Sequence, residues 1–216
     1  MPYLDLDKYD KPSYIPDMIA SLGYNNGGFI SICGNTNNLY LVSPASGVKY
    51  IRKKDLSYGT PDWPVILDNK ILYDLNYPKV KSPAIYVHCT EDQLAIVSVS
   101  GIDVYTFRPQ LYRSSTLAYS GETFEKCFIT NSKKLYYVVS GTNYYSLRAV
   151  YNLTSNWQHA DKEYKADNST FLAGAKITDI YVNDIDNKTT LFVSTTKGVY
   201  VIDDDSGYIK VYNSKF

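Results

Sequence analysis

The chain has 216 residues, 44% hydrophobic and 20% charged, which suits one globular domain and argues against disorder. Lys plus Arg and Asp plus Glu both number 22, giving a formal net charge of zero. Binding to nucleic acid or to an anionic membrane draws on excess positive charge, so neither is expected as a partner.

Residues 1–27 differ in texture from the rest. Pro2, Pro12 and Pro16 punctuate a polar stretch that closes on the turn signal Asn25-Asn26-Gly27-Gly28. Within it, Pro16 to Gly23 has the makings of about two helical turns, with Gly23 as the stop. The expectation is an irregular N-terminal arm that docks on the body or on a neighbouring subunit, anchored by Tyr3, Leu4, Tyr9, Tyr14 and Tyr24. Met1 to Lys8 lacks the basic segment and apolar stretch of a secretory leader, which points to intracellular synthesis. No apolar run reaches the roughly 18 residues of a membrane-spanning helix. Cys33, Cys89 and Cys127 cannot all pair with one another and are expected to be reduced and buried.

From residue 28 to 216 the texture is that of a second, all-β region. Short runs of Val, Ile, Tyr and Phe alternate with turns of Gly, Asn, Asp, Ser and Lys, and no window carries a helical period. Four apolar runs end in serine: Leu39 to Ser43, Leu94 to Ser98, Tyr136 to Ser140 and Thr190 to Ser194. Their serines are 98 − 43 = 55, 140 − 98 = 42 and 194 − 140 = 54 residues apart. Each run is preceded by another apolar segment: Phe29 to Cys33, Ala84 to Cys89, Lys126 to Thr130 and Ile177 to Val182. Each is followed by a third: Val48 to Arg52, Ile102 to Phe107, Tyr144 to Val150 and Val199 to Asp203. Fourth strands are placed at Val65 to Tyr73, Ser115 to Ser120, Lys162 to Ala166 and Tyr208 to Tyr212. Four units of four strands, roughly 28–77, 83–125, 126–172 and 175–214, with a period near 50, predict a β-propeller-like domain. The second strands are nearly continuous in apolar residues, as expected of sheets covered on both faces. A two-sheet β-sandwich is the alternative.

The stretch from Thr195 to Tyr212, with Gly198-Val199-Tyr200-Val201-Ile202-Asp203 and then Ser206-Gly207, resembles a blade of the β-propeller superfamily. It is similar to sensor-type and quinoprotein-like repeats, in which such a hairpin follows a strand ending in Ser-Thr. Ser46-Gly47-Val48 and Ser100-Gly101-Ile102 match more loosely, and Gly141-Thr142-Asn143 forms a shorter turn. The resemblance implies a fold and carries no function with it.

Signals of chemistry are weak. Ser194-Thr195-Thr196-Lys197 matches a Ser-x-x-Lys pattern, but at a strand end rather than on a helix, and without its companion motifs. His88 sits beside Cys89 in an apolar strand and is read as a satisfied core residue, and His159 as a surface one; neither has zinc-site spacing. The oxygen-rich turns at Asp184, Asp186 and Asn187 and at Asp203, Asp204 and Asp205 are read as hairpin chemistry rather than calcium loops. No catalytic, cofactor or metal residue is assigned.

The 23 tyrosines are the unusual feature, since Tyr favours both strands and contact surfaces. The expected function is a non-enzymatic structural or protein–protein interaction module in a larger assembly, with a homo-oligomer as one arrangement. A virion or phage component is one concrete form of it. The alternative is a lectin-like or small-ligand propeller with a carbohydrate partner, and an enzyme with an unrecognised site comes third. Trp63 and Trp157 join the arm residues as candidate contacts.

Overall fold

Apolar runs broken by Asn, Asp, Ser and Gly give an all-β structure, since β-branched and aromatic residues favour the pleat and the polar residues favour the turns. The computed structural model describes residues 29–43, 47–53, 72–75, 83–107, 112–118, 121–153, 160–166, 174–186 and 188–212. The arm, with Tyr3, Leu4, Tyr9, Tyr14 and Tyr24, lies outside the described residues, as do Trp63, Trp157 and His159. No helix among the described residues is long and apolar enough to cross a membrane.

The first sheet holds β1 (Ser31–Gly34), β2 (Asn38–Ser43), β3 (Gly47–Arg52) and β4 (Leu72–Asp74). The second holds β5 (Ala84–Cys89), β6 (Gln93–Ser98), β7 (Gly101–Thr106) and β8 (Tyr112–Leu117). β9 (Thr123–Ile129), β10 (Leu135–Ser140), β11 (Tyr145–Val150) and β12 (Lys162–Ala166) make the third. β13 (Ile177–Ile185), β14 (Lys188–Thr195), β15 (Gly198–Asp203) and β16 (Ile209–Tyr212) make the fourth. Every sheet is an antiparallel meander in chain order. The first strands β1, β5, β9 and β13 touch in succession, so they lie innermost and the fourth strands outermost. Four separate sheets standing side by side exclude the two-sheet sandwich.

Three hydrophobic clusters fill the junctions between successive sheets. Tyr40, Val42 and Val48 of the first sheet meet Val87, Leu94, Ile96 and Tyr105 of the second. Ala95, Val97, Ile102 and Val104 of the second meet Phe124, Cys127, Leu135, Tyr137 and Val139 of the third. Tyr136, Val138, Leu147 and Tyr164 of the third meet Ile180, Val182, Leu191, Val193 and Tyr200 of the fourth. β6 is buried at every residue and β10 at all but its last, as strands covered on both faces must be. β14 departs from that expectation, because it alternates and is covered on one face alone.

The serine-anchored runs occupy equivalent strands, with Val42, Val97, Val139 and Val193 all buried and each in a different sheet. Their register is not the same. Val42 and Val97 face the following sheet, whereas Val139 and Val193 face the preceding one. The hairpin closures show why. Ser43 pairs with Gly47 and Ser98 with Gly101, but in the fourth sheet it is Thr195 that pairs with Gly198. Thr195 also donates its hydroxyl to Gly198 O at 2.8 Å, as Ser98 does to Gly101 O at 3.2 Å. In the third sheet Gly141, which donates its N–H to Tyr144 O, takes that place. The structural spacing is therefore 98 − 43 = 55, 141 − 98 = 43 and 195 − 141 = 54 residues.

Two local features explain particular residues. A Cβ on Gly101 would stand 2.3 Å from the carbonyl oxygen of Leu117, so this glycine lets β8 approach β7. Along β11, Arg148 forks onto both oxygens of Glu122, the residue before β9, at 2.6 Å and reaches Glu163 of β12 at 2.8 Å. Burial opposes the guanidinium charge, but the two carboxylates outweigh it and hold its pKa above the ordinary value. Arg148→Met should lower unfolding stability by about 2 kcal/mol, because it strands two partly buried carboxylates. Urea unfolding would register this as an earlier midpoint, and an unchanged midpoint would count against the network.

Candidate functional site

Each sheet sends the end of its first strand, and the turn after it, to the same place. Gly34 closes β1; Cys89, Thr90 and Glu91 follow along β5; Ile129, Thr130 and Asn131 along β9; and Val182, Asn183 and Asp184 along β13. Together with His88, Phe128 and Tyr181 they line a cavity of about 400 Å³ at the axial mouth. The turns use local side-chain caps. Asn35 Oδ1 accepts from the N–H groups of Asn37 and Asn38, and Thr90 Oγ1 accepts from Gln93 N. Thr130 Oγ1 accepts from Lys134 N, which lets Lys133 sit at a φ of 65°.

The polar groups of the mouth tie neighbouring sheets together. Glu91 accepts the Thr36 N–H on both carboxylate oxygens, at 3.0 and 3.1 Å, joining the first two sheets. His88 Nδ1 accepts from Ile129 N at 3.2 Å, joining the second to the third. Asp184 accepts from the Ser132 hydroxyl and pairs with Lys134 Nζ at 3.5 Å, joining the third to the fourth. Burial works against the Asp184 charge, yet hydrogen bonds from Ser132 and Thr189 and the Lys134 ammonium lower its pKa. Burial lowers that of His88 to about 4, so its ring is neutral near pH 7 and able to accept. The His88 ring lies 4.0 Å from that of Phe128, which meets Tyr181 edge-on at 5.5 Å, and these rings form an aromatic wall.

The other residues singled out in the sequence fall elsewhere. Ser194 and Lys197 sit at the β14–β15 hairpin, where Thr195 Oγ1 accepts from Lys197 N, and His88 is two sheets away. The aspartate triplet is split three ways. Asp203 caps the N–H groups of Asp205 and Ser206, Asp205 accepts from Thr189 N, and Asp204 turns inward. Among the described residues no group of three or more His, Cys, Asp and Glu is placed to hold a metal. The three cysteines are free, with Cys89 and Cys127 buried and Cys33 half-buried. Sequence reasoning placed the residues of the mouth in first strands and the turns after them, with His88 as a core residue, and missed that they converge. The signal was present, because in a ring of blades the turns after all first strands share one end.

Four-stranded meanders set side by side, with their first strands around a common axis, define the β-propeller class of fold. No protein-family model matches the chain, and no curated protein matches it in sequence. Among solved structures it is similar to the WD40 β-propeller domain of Doa1, with a TM-score of 0.56 and 9% identity over 89% of this chain and 57% of that one. It is also similar to the Dos1 propeller, with a TM-score of 0.52 and 9% identity over 88% of this chain and 50% of that one. The chain thus spans about half the length of these propellers, and at such identity the likeness concerns the fold alone.

Proposed function

We propose that the chain is a non-enzymatic protein-interaction module that receives its partner at the axial mouth. One observation carries this. The carboxylates and the imidazole of the mouth are engaged in holding the sheets to one another. What faces the cavity is therefore a firmly held surface of ring and amide groups, Phe128, Tyr181, Asn131 and Asn183, suited to recognition rather than to bond-making. A part in a larger assembly, such as a virion or phage particle, is the finer form of this reading, supported by the tyrosine-rich composition. Carbohydrate is the second reading, favoured by Phe128 and Tyr181 standing beside Asn131, Asn183 and Asp184 in one concavity.

The test is a photo-cross-linking residue at Asn131, illuminated in an extract of the source cells. A discrete protein adduct is expected, and Asn183→Ala with Tyr181→Ala should weaken retention of that protein about tenfold or more, equivalent to about 1.4 kcal/mol. Absence of any protein adduct, together with glycan-array binding that Tyr181→Ala abolishes, would replace this reading with the carbohydrate one.

A further inference from the structure

The three junctions share one direction. In each, the forward face of a sheet packs on the backward face of the next. The stack therefore has two unlike outward faces, a backward one on the first sheet and a forward one on the fourth.

Both expose apolar side chains at positions that are buried in the other sheets. Ile32 pairs with Leu41, the place taken by Val87, Phe124 and Ile180 in the other first strands. Those three are buried, whereas Ile32 is 60% exposed and its neighbour Ile30 is 53% exposed. Phe192 takes the place of Tyr40, Ala95 and Val138, and Val199 that of Val48 and Ile102. All five of those are buried, whereas Phe192 and Val199 are each 38% exposed. Tyr181 and Tyr212, on the same forward face, are more than half exposed. Single exposed apolar residues need no explanation; two faces built to the pattern of a junction do.

We propose that a second copy of this chain covers both faces and closes the ring. The forward face of each fourth sheet packs on the backward face of the other copy's first sheet, giving eight sheets and two identical new junctions related by a twofold axis. A second copy is the occupant these faces fit, because it presents both required surfaces at once and leaves no open face, as closed symmetry demands. The arrangement continues the direction of the three existing junctions, with the first sheet contributing its innermost strand. It also accords with the chain covering 57% and 50% of the propellers on which it superposes. On the first sheet Leu41 and Ile51 are buried, so its open part is the axial strip of Ile30 and Ile32, where radial sheets converge. The axial mouth is then bordered by both copies.

Sedimentation and native mass measurement on the 216-residue chain test this. At roughly 10 µM and above, where specific interfaces commonly hold, the chain should have twice the 24.5 kDa mass of one copy. Phe192→Lys and Ile32→Glu should each give folded monomers by circular dichroism. Mixing the two variants should restore the dimer, since one junction is then native on both sides and the other sets the new lysine against the new glutamate. If either variant fails to fold, Val199→Lys and Ile30→Glu serve instead. A monomeric parent chain, a dimer that survives both single changes, or a mixture that stays monomeric each overturns the proposal. The first would leave these faces to another protein or to further sheets, and the last two would place the dimer contact on another surface or in another pairing. None of these results depends on what binds at the mouth.

Discussion

Asp204→Ala should lower unfolding stability by about 3–5 kcal/mol, and the thermal midpoint by roughly 10 °C, the range for a buried charge network losing its centre in a domain of this size. Asp204 lies in the β15–β16 turn, yet its carboxylate is buried against the third sheet. It accepts from Tyr164 Oη at 2.6 Å, Tyr136 Oη at 2.7 Å and Tyr151 Oη at 3.1 Å, and pairs with Lys162 Nζ at 3.3 Å. Burial, with the Asp204 carboxylate adding to it, raises the pKa of all three phenols, so they remain donors throughout ordinary pH. Alanine leaves three hydroxyls and an ammonium at that junction without their common acceptor. Asp204→Asn keeps one carbonyl oxygen and should fall between the two. A midpoint shift below about 2 °C for the alanine variant would show that the cluster forms without supporting the junction.

Acid should weaken the fold through His88 in particular. Its folded pKa, about 4, lies below the unfolded value of 6.5 because burial disfavours the charged ring. Between those values the unfolded chain binds the extra proton, so stability rises with pH across the window. The contribution is fully present above pH 6.5 and is lost as pH falls towards 4. At about 1.4 kcal/mol per pH unit the loss amounts to about 3 kcal/mol. Protonation also removes the acceptor that Ile129 N uses, and so the tie between the second and third sheets. His88→Asn offers an amide oxygen near the same place and does not titrate. Urea unfolding at several pH values should therefore give a flatter profile for the variant between pH 6.5 and 4. Carboxylate titration is common to both proteins and cancels in the difference. Parallel profiles would remove His88 from the acid response.

The first three strands of each sheet were legible because apolar runs and turn residues alternate so regularly, whereas the fourth strand expected at Ser115 to Ser120 lies at Tyr112–Leu117. Yet β12, with only Tyr164 as an apolar anchor beyond alanine, lies at Lys162–Ala166 as expected. The register within the repeats was not legible. A one-residue slip sends every side chain to the opposite face, and alternation is what normally reveals it. β6 and β10 are covered on both faces and carry no alternation, so Leu94 to Ser98 and Tyr136 to Ser140 can be aligned on their serines with no visible conflict. The tyrosines were legible as an excess but not in their use. Tyr40, Tyr105, Tyr136 and Tyr137 are junction filling, while Tyr181 and Tyr212 stand on an open face. Nothing in Asp203-Asp204-Asp205 distinguishes the middle residue. Its three phenolic partners come from 40 to 68 residues earlier in the chain and meet it only once the third and fourth sheets pack.

Stacking in a single direction has a kinetic corollary. Among the described residues each sheet packs on its sequence neighbours alone, so stability accrues as local terms plus nearest-neighbour terms, as in a linear array. Within one copy, the second and third sheets each share two junctions, and the first and fourth share one, the new junctions between copies forming only after each copy has folded. Amide exchange should accordingly be slowest in β6 and β10 and fastest towards β16, where three of four residues are exposed. Refolding would then begin with the middle pair and spread outward. The fourth sheet would settle last, when the Asp204 turn closes over the tyrosines already in place on the third.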